Sequence, residues 1–124
     1  MANQLNTLAI TATTDGSGDA TATAEKSVFG WLIGVQWIDG DFADGVDAVL
    51  SVTNRPSPAA DRTLLTLTDA NDDAMYYPRE DEHDNTGSAA STTTLPLIDG
   101  TPKLVVSSGG ATKTGGVILY YTDR

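Results

Sequence analysis

The chain has 124 residues, a length that suits one domain with a single two-layer core. Its formal net charge is −10 and it has only seven lysines and arginines, which argues against binding to nucleic acids or anionic membranes, because both require a basic surface. It contains no cysteine, so disulfides and thiolate metal sites are excluded. Neither a signal peptide nor an apolar run of membrane-spanning length is present, so we expect neither secretion nor membrane insertion.

The first part of the chain predicts a β-hairpin. Residues 5–14 are rich in Thr, Ile and Ala, and residues 20–25 alternate Ala with Thr. Between them, residues 15–18 (Asp-Gly-Ser-Gly) tolerate the positive φ angles of a tight turn. The alternation places Ala20, Ala22 and Ala24 inward, and Thr21, Thr23 and Glu25 towards solvent.

The most hydrophobic segment runs from Val28 to Ile38 and predicts the central strand of the core. Side chains alternate between the two faces of a strand, so the bulky residues at odd positions are expected on one buried face. The other face is apolar with gaps at Gly30 and Gly34, where a neighbouring backbone could approach closely. The odd positions are Phe29, Trp31, Ile33, Val35 and Trp37.

Further strands are predicted in the middle of the chain. A turn segment over residues 39–45 is followed by residues 46–52, in which Val46, Ala48, Leu50 and Val52 alternate with more polar residues, as in a half-buried strand. Residues 63–68 resume the pattern, whereas residues 69–87 are polar, acidic and without periodicity, which indicates a long loop.

The last third of the chain also has the residue pattern of short strands separated by turns. Residues 95–98 and 103–107 flank an Asp99-Gly100 turn, and the apolar residues 117–121 must lie inside a sheet. Seven or eight short strands with little helix predict an all-β fold, an antiparallel β-sandwich of jelly-roll type. We expect one domain over residues 1–124, with a flexible arm at residues 1–6 and the long acidic loop at residues 69–87.

Two acidic segments are candidate calcium sites, because calcium takes six to eight oxygen ligands. The first, Asp39–Asp47, contains four aspartates, but its spacing does not match an EF-hand loop. The second, Asp69–Glu80, matches four ligand positions of that loop and lacks the required glycine at the sixth. Hairpin turns and solvated connections explain both segments, so no metal ligand is assigned. The residues concerned are Asp39, Asp41, Asp44 and Asp47 in the first segment, and Asp69, Asn71, Asp73 and Glu80 in the second.

No catalytic site is assigned either. His83 is the only histidine and lies in a charged run, and Ser17 lies in a predicted turn with no base nearby, so a Ser-His-Asp arrangement is not expected. No acid lies in an apolar sequence setting that would mark it as the general acid of a glycosidase. Trp31 and Trp37 could stack on sugars, but five apolar residues sharing one face favour a core position.

The order of several segments resembles that of a known class of proteins. They are Asp15 to Thr21, Asp44 to Asp47, Leu64 to Asp69, Tyr76 to Arg79, Thr86-Gly87 and Lys113 to Tyr121. This pattern resembles small all-β structural proteins of tailed bacteriophages, several of which are head decoration or cement proteins. The resemblance implies a virion protein on the capsid exterior, made in the host cytoplasm, without enzymatic activity or cofactor, which binds the major capsid protein or other virion proteins and forms a homo-oligomer.

The acidic composition is compatible with that class, because a negative surface is repelled by packaged DNA and suits the outside of the particle. Two alternatives stay open. One is a tail or head-tail connector component, and the other is a carbohydrate-binding adhesion module that uses Trp31 or Trp37.

Overall fold

The computed structural model describes residues 4–123, and these form ten β-strands and no helix. The predicted all-β, antiparallel, sandwich-like fold is confirmed. No segment within residues 4–123 is a helix long and apolar enough to cross a membrane. The strands are β1 Leu5–Thr13, β2 Ala20–Thr23, β3 Val28–Ile38, β4 Asp47–Thr53, β5 Arg62–Leu67, β6 Ala74–Tyr76, β7 Glu80–His83, β8 Ala89–Thr94, β9 Leu97–Ser107 and β10 Thr114–Thr122.

Two sheets share strand β9. In sheet 1, β10 lies between β1 and β3, and the other side of β3 pairs with β6 and with the start of β9. In sheet 2, the rest of β9 lies between β2 and β4, and β4 pairs with β5. Buried side chains of both sheets, among them Leu119 and Val35 from sheet 1 and Leu50 and Leu104 from sheet 2, form one hydrophobic core.

The predicted turn at Asp99-Gly100 is wrong, because β9 runs straight through these residues. Asp99 and Gly100 still pair with β3, whereas Thr101 already pairs with β4, so this is the point where the strand passes from sheet 1 to sheet 2. A Cβ atom at position 100 would collide with the carbonyl oxygen of Thr53. The glycine therefore permits the close approach of two backbones rather than a chain reversal.

The hairpin predicted from residues 5–25 has the right turn and the wrong pairing. Asp15 N–H donates to the carbonyl of Asp19 and closes the turn, but β1 pairs with β10 and β2 pairs with β9. The turn therefore connects the two sheets. The predicted directions of Ala20, Ala22 and Ala24 are confirmed, since all three pack on the core.

The single buried face predicted for β3 is wrong in its first half. Tyr120 lies opposite Gly34 and Tyr121 lies opposite Leu32, so Ile33 is an extra residue, a β-bulge. The bulge shifts the side-chain alternation by one position. As a result Val35 and Trp37 point into the core, whereas Phe29 and Trp31 point outward and are exposed.

The segment predicted as a long acidic loop, residues 69–87, contains β6 and β7. Among the described strands β7 pairs only with β8, and these two form a separate hairpin whose β8 residues are all exposed. Arg62 of β5 contacts Glu80 at the base of this hairpin, with 3.4 Å between Nη1 and Oε1. The arm expected over residues 1–6 overlaps β1 at Leu5 and Asn6, and its first three residues lie outside the described part of the chain.

Candidate functional site

The outer face of sheet 1 carries a row of side chains that crosses four strands. Opposite residues of antiparallel strands point to the same face. Leu5 of β1 lies opposite Thr122 of β10, Thr122 lies opposite Trp31 of β3, and Trp31 lies opposite Leu97 of β9. Phe29, two residues before Trp31, extends the row along β3.

The large apolar side chains of this row are exposed to solvent. Phe29 is 65 % exposed, Trp31 37 % and Leu97 39 %. Tyr77, which is also exposed, follows β6 and places its ring beside Gly34 of β3. All five exposed large hydrophobic residues of the described chain lie on or next to this face, so they form one cluster rather than isolated surface positions.

Two shallow depressions interrupt the face. One, of about 360 Å³, is lined by Gln4, Leu5, Ile33 and Thr122, next to Trp31. The other, of about 330 Å³, lies at the opposite end of the same strands over Gly115 and Gly116 of β10. Side chains of a partner could enter both depressions, which are lined by uncharged residues.

Within residues 4–123 the members of this face are uncharged, although the chain contains 24 charged residues, 17 acidic and 7 basic. Charged groups lie at its border, where Asp99, opposite Phe29, is paired with Arg55, and Arg62 donates to the carbonyl of Leu97. We call this surface the neutral face. Its members are Leu5, Thr7, Ala9, Thr11 and Thr13 of β1, Phe29, Trp31, Ile33, Gln36 and Ile38 of β3, Met75 and Tyr77, Leu97 of β9, and Thr114, Gly116, Ile118, Tyr120 and Thr122 of β10.

The two acidic segments meet at one end of the molecule, where their side chains bind backbone amides. Asp73 Oδ1 accepts from Asp39 N–H at 2.8 Å, and Asp47 Oδ1 accepts from Asp69 N–H at 3.0 Å. Asn71 Oδ1 accepts from Gly45 N–H at 2.7 Å. These bonds hold two connecting segments together, which is a structural use of the acids.

The two halves of the second candidate calcium segment are separated in the structure. Asp69, Asn71 and Asp73 contact the first acidic segment, whereas Glu80 lies on β7 and pairs with Arg62. Within residues 4–123 no group of three or more histidine, aspartate or glutamate side chains is arranged to hold a metal ion.

The sequence predicts that no acid lies in surroundings that raise its pKa, and Asp39 is an exception. Burial raises the pKa of its carboxyl group, and the nearby acids, Asp73 first, raise it further. Its Oδ1 atom is buried without a hydrogen-bond partner in the described structure. The group belongs to a cluster of carboxylates that repel one another, and the nearest of them, Asp73, accepts the backbone bond from Asp39 N–H described above.

The remaining candidate residues lie on separate elements. His83 is exposed on β7 opposite Ala89, and Ser17 lies in the turn between β1 and β2. Trp37 is completely buried, its Nε1 donates to the carbonyl of Ala70 at 2.9 Å, and its ring stacks on Phe42. The core position expected for both tryptophans is therefore correct for Trp37 and wrong for Trp31.

The neutral face was missed in the sequence because the Ile33 bulge has no evident signature there. A partial signal exists in β1, whose odd positions carry no charge from Leu5 to Thr13. Comparisons of the chain with protein-family models, with curated proteins and with solved structures found no match.

Proposed function

We propose that this chain is a structural protein of a tailed-bacteriophage particle, which binds the outside of the capsid as a decoration protein through the neutral face. The observation that carries the proposal is the cluster of Phe29, Trp31 and Leu97, exposed on a face whose members are uncharged and whose bordering charges, Asp99 and Arg62, are paired. Exposed apolar clusters of this kind are typical of protein interaction sites. Burying the part of these side chains that is still exposed would stabilise such a contact through the hydrophobic effect.

The charge distribution supports an outer position. A body with net charge −10 is repelled by packaged DNA, whereas the neutral face can approach the major capsid protein without burying an unpaired charge. Decoration needs a rigid module and no chemistry, and a sandwich with one continuous core provides that rigidity. The resemblance of sequence pattern described above points to the same class of protein.

The test uses particles that lack this protein. Purified protein is added back, and binding is measured by co-sedimentation together with resistance of the particles to heat. The double variant Phe29→Asp and Trp31→Asp should bind at least tenfold more weakly than wild type. The control, Thr21→Asp with Thr23→Asp, makes the same charge change on exposed positions of β2 and should bind normally.

Equal binding of both variants, or no binding of the wild type, would contradict the proposal. Circular dichroism of each variant shows whether it is folded. Gold-labelled wild-type protein located on tails by electron microscopy would instead support a tail or connector component.

A carbohydrate-binding module is the second candidate, because Trp31 is exposed and its ring is available for stacking. Trp31→Phe leaves Trp37 as the only tryptophan and gives the background signal. A glycan that shifts the fluorescence of the wild type and not of this variant would support sugar binding. No shift across a glycan panel would remove this candidate.

A further inference from the structure

We propose that two copies of this chain associate through strand β1, antiparallel about a two-fold axis at Ala9, so that their sheets 1 become one continuous sheet. The proposal concerns the edge of the sheet and does not depend on the function proposed for its face.

Strand β1 ends the strand order of sheet 1, so within residues 4–123 only one of its sides is paired. Thr14, directly after the strand, donates its N–H to Lys113 on the β10 side at 2.8 Å. Antiparallel hydrogen bonding alternates with a period of two residues. The N–H and C=O groups of the even residues therefore point to β10, and those of the odd residues from Leu5 to Thr13 point to the open edge.

The open edge lacks the features that prevent strand association. Proteins protect such edges with charged side chains, prolines, bulges or short strands. Strand β1 has nine residues, no charge and no proline, and it pairs with β10 without a register shift. The other edge strands of the two sandwich sheets differ, since β2 has four residues, β6 has three, and β5 carries Arg62 and a bulge. Strand β8 of the separate hairpin is also uncharged but is shorter, with six residues.

The β1 strand of a second copy can pair with the open N–H and C=O groups of this edge in one defined register. With Ala9 opposite Ala9 of the other copy, Thr7 lies opposite Thr11 and Leu5 lies opposite Thr13, so every odd residue meets an odd residue. Each such pair exchanges two hydrogen bonds, which gives about ten backbone bonds, the number typical of a stable protein interface. The contact is isologous, as expected for a symmetric dimer.

The charge of the chain favours this edge over others. Each copy has a net charge of −10, so most surfaces of two copies repel each other, whereas the edge of β1 brings no like charges together. The remaining long-range repulsion is screened by salt. The dissociation constant of the dimer should therefore decrease as the salt concentration rises.

Cysteine cross-linking tests the register directly, because the chain has no cysteine of its own. In the proposed dimer the two Cα atoms at position 9 are about 5.5 Å apart, within the range of a disulfide. The two Cα atoms at position 13 are about 27 Å apart along the strands. Ala9→Cys should form a covalent dimer on mild oxidation, and Thr13→Cys, at a position that is also exposed, should not.

Charge substitutions test the same contact without a covalent bond. In Thr7→Glu with Thr11→Glu, carboxylates face each other across the axis, and the dissociation constant measured by analytical ultracentrifugation should rise at least tenfold. The control Thr21→Glu with Thr23→Glu has the same net charge and should dimerise as the wild type does. Thr7→Lys with Thr11→Glu places opposite charges in contact and should restore the dimer.

Three results would overturn the proposal: a wild type that stays at the 12.9 kDa monomer mass at submillimolar concentration, equal cross-linking at positions 9 and 13, or equal effects of the two glutamate variants. All measurements use the purified chain without particles. A failure here is therefore distinct from a failure of the docking proposal, which is measured on particles.

Discussion

Arg55 holds the carboxylate of Asp99 with two hydrogen bonds, from Nε to Oδ1 at 2.9 Å and from Nη2 to Oδ2 at 3.2 Å. The pair fixes the connection between β4 and β5 to the point where β9 changes sheets. Both side chains are mostly shielded from water, so the pair is worth more than a surface ion pair.

Asp99→Asn should lower the free energy of unfolding at pH 7 by about 1–2 kcal/mol, measured by urea denaturation. The hydrogen bonds from Arg55 lower the pKa of Asp99 below its usual value of 3.8. The stabilisation is therefore complete above that value and is lost as the pH falls through the lowered pKa. Asp61→Asn, which removes the more exposed pair with Lys103, is the control and should lower the free energy of unfolding by less than Asp99→Asn does.

Gly100→Ala should destabilise the protein by about 2–3 kcal/mol, because the added methyl group collides with the carbonyl of Thr53. The matched control is Gly16→Ala, where a Cβ atom would meet nothing within 4 Å. Thermal unfolding of the two variants compares the positions. Equal melting temperatures would show that β9 does not approach β4 as closely as described.

Trp37→Phe should cost about 2–4 kcal/mol, because it leaves the carbonyl of Ala70 without its donor and opens space beside Phe42. Trp31→Phe should change stability by less than about 0.5 kcal/mol. Fluorescence separates the two residues as well, since acrylamide should quench Trp31 and spare Trp37. Strong quenching in Trp31→Phe would contradict the burial of Trp37.

Asp39→Asn should stabilise the protein at pH 7 by about 0.5 kcal/mol, because it removes a negative charge that is disfavoured by burial and by the repulsion of nearby carboxylates. The raised pKa of Asp39 means that the folded state holds this proton more tightly than the unfolded state. The wild type therefore loses stability as the pH rises from 3.8 through the raised pKa, and the variant does not. The melting temperatures of the wild type and of Asp39→Asn should therefore diverge across this range, and a constant difference between them would contradict the raised pKa of Asp39.

The turn after β1 and the turn between β7 and β8 have the same hydrogen-bond pattern but different neighbours. Asp15 Oδ1 accepts from Ser17 N–H and Asp19 N–H, and Asp84 Oδ1 accepts in the same way from Thr86 N–H and Ser88 N–H. The first turn also bonds to another loop, since Gly109 N–H donates to Gly18. Asp15→Ala should therefore lower the melting temperature, whereas Asp84→Ala should only accelerate amide exchange within the β7–β8 hairpin.

The alternation of apolar and polar residues was sufficient to predict those strands in which the same face is buried along the whole length. Strand β4 has Ala48, Leu50 and Val52 inward, as its sequence indicates, and Val46 before it is also buried. Ala20 and Ala22 of β2 behave in the same way. In these strands one face packs on the core along the whole length, so apolar residues recur at every second position of the sequence.

The neutral face could not be predicted, because it depends on pairing between distant segments. Only the register of β10 against β3 shows that Ile33 is an extra residue and that Phe29 and Trp31 face outward. In the same way, the course of β9 through Gly100 depends on the nearby backbone of β4. A glycine that permits a close approach and a glycine that permits a turn look identical in a sequence.

Because β9 contributes to both sheets, neither sheet can lose its order while the other keeps its own. If sheet 2 melted, the first part of β9, which pairs with Val28 and Trp31 in sheet 1, would lose the rest of its strand. If sheet 1 melted, the second part of β9, which pairs with β4 in sheet 2, would in the same way lose its beginning. The sandwich is therefore a single cooperative unit with one unfolding transition.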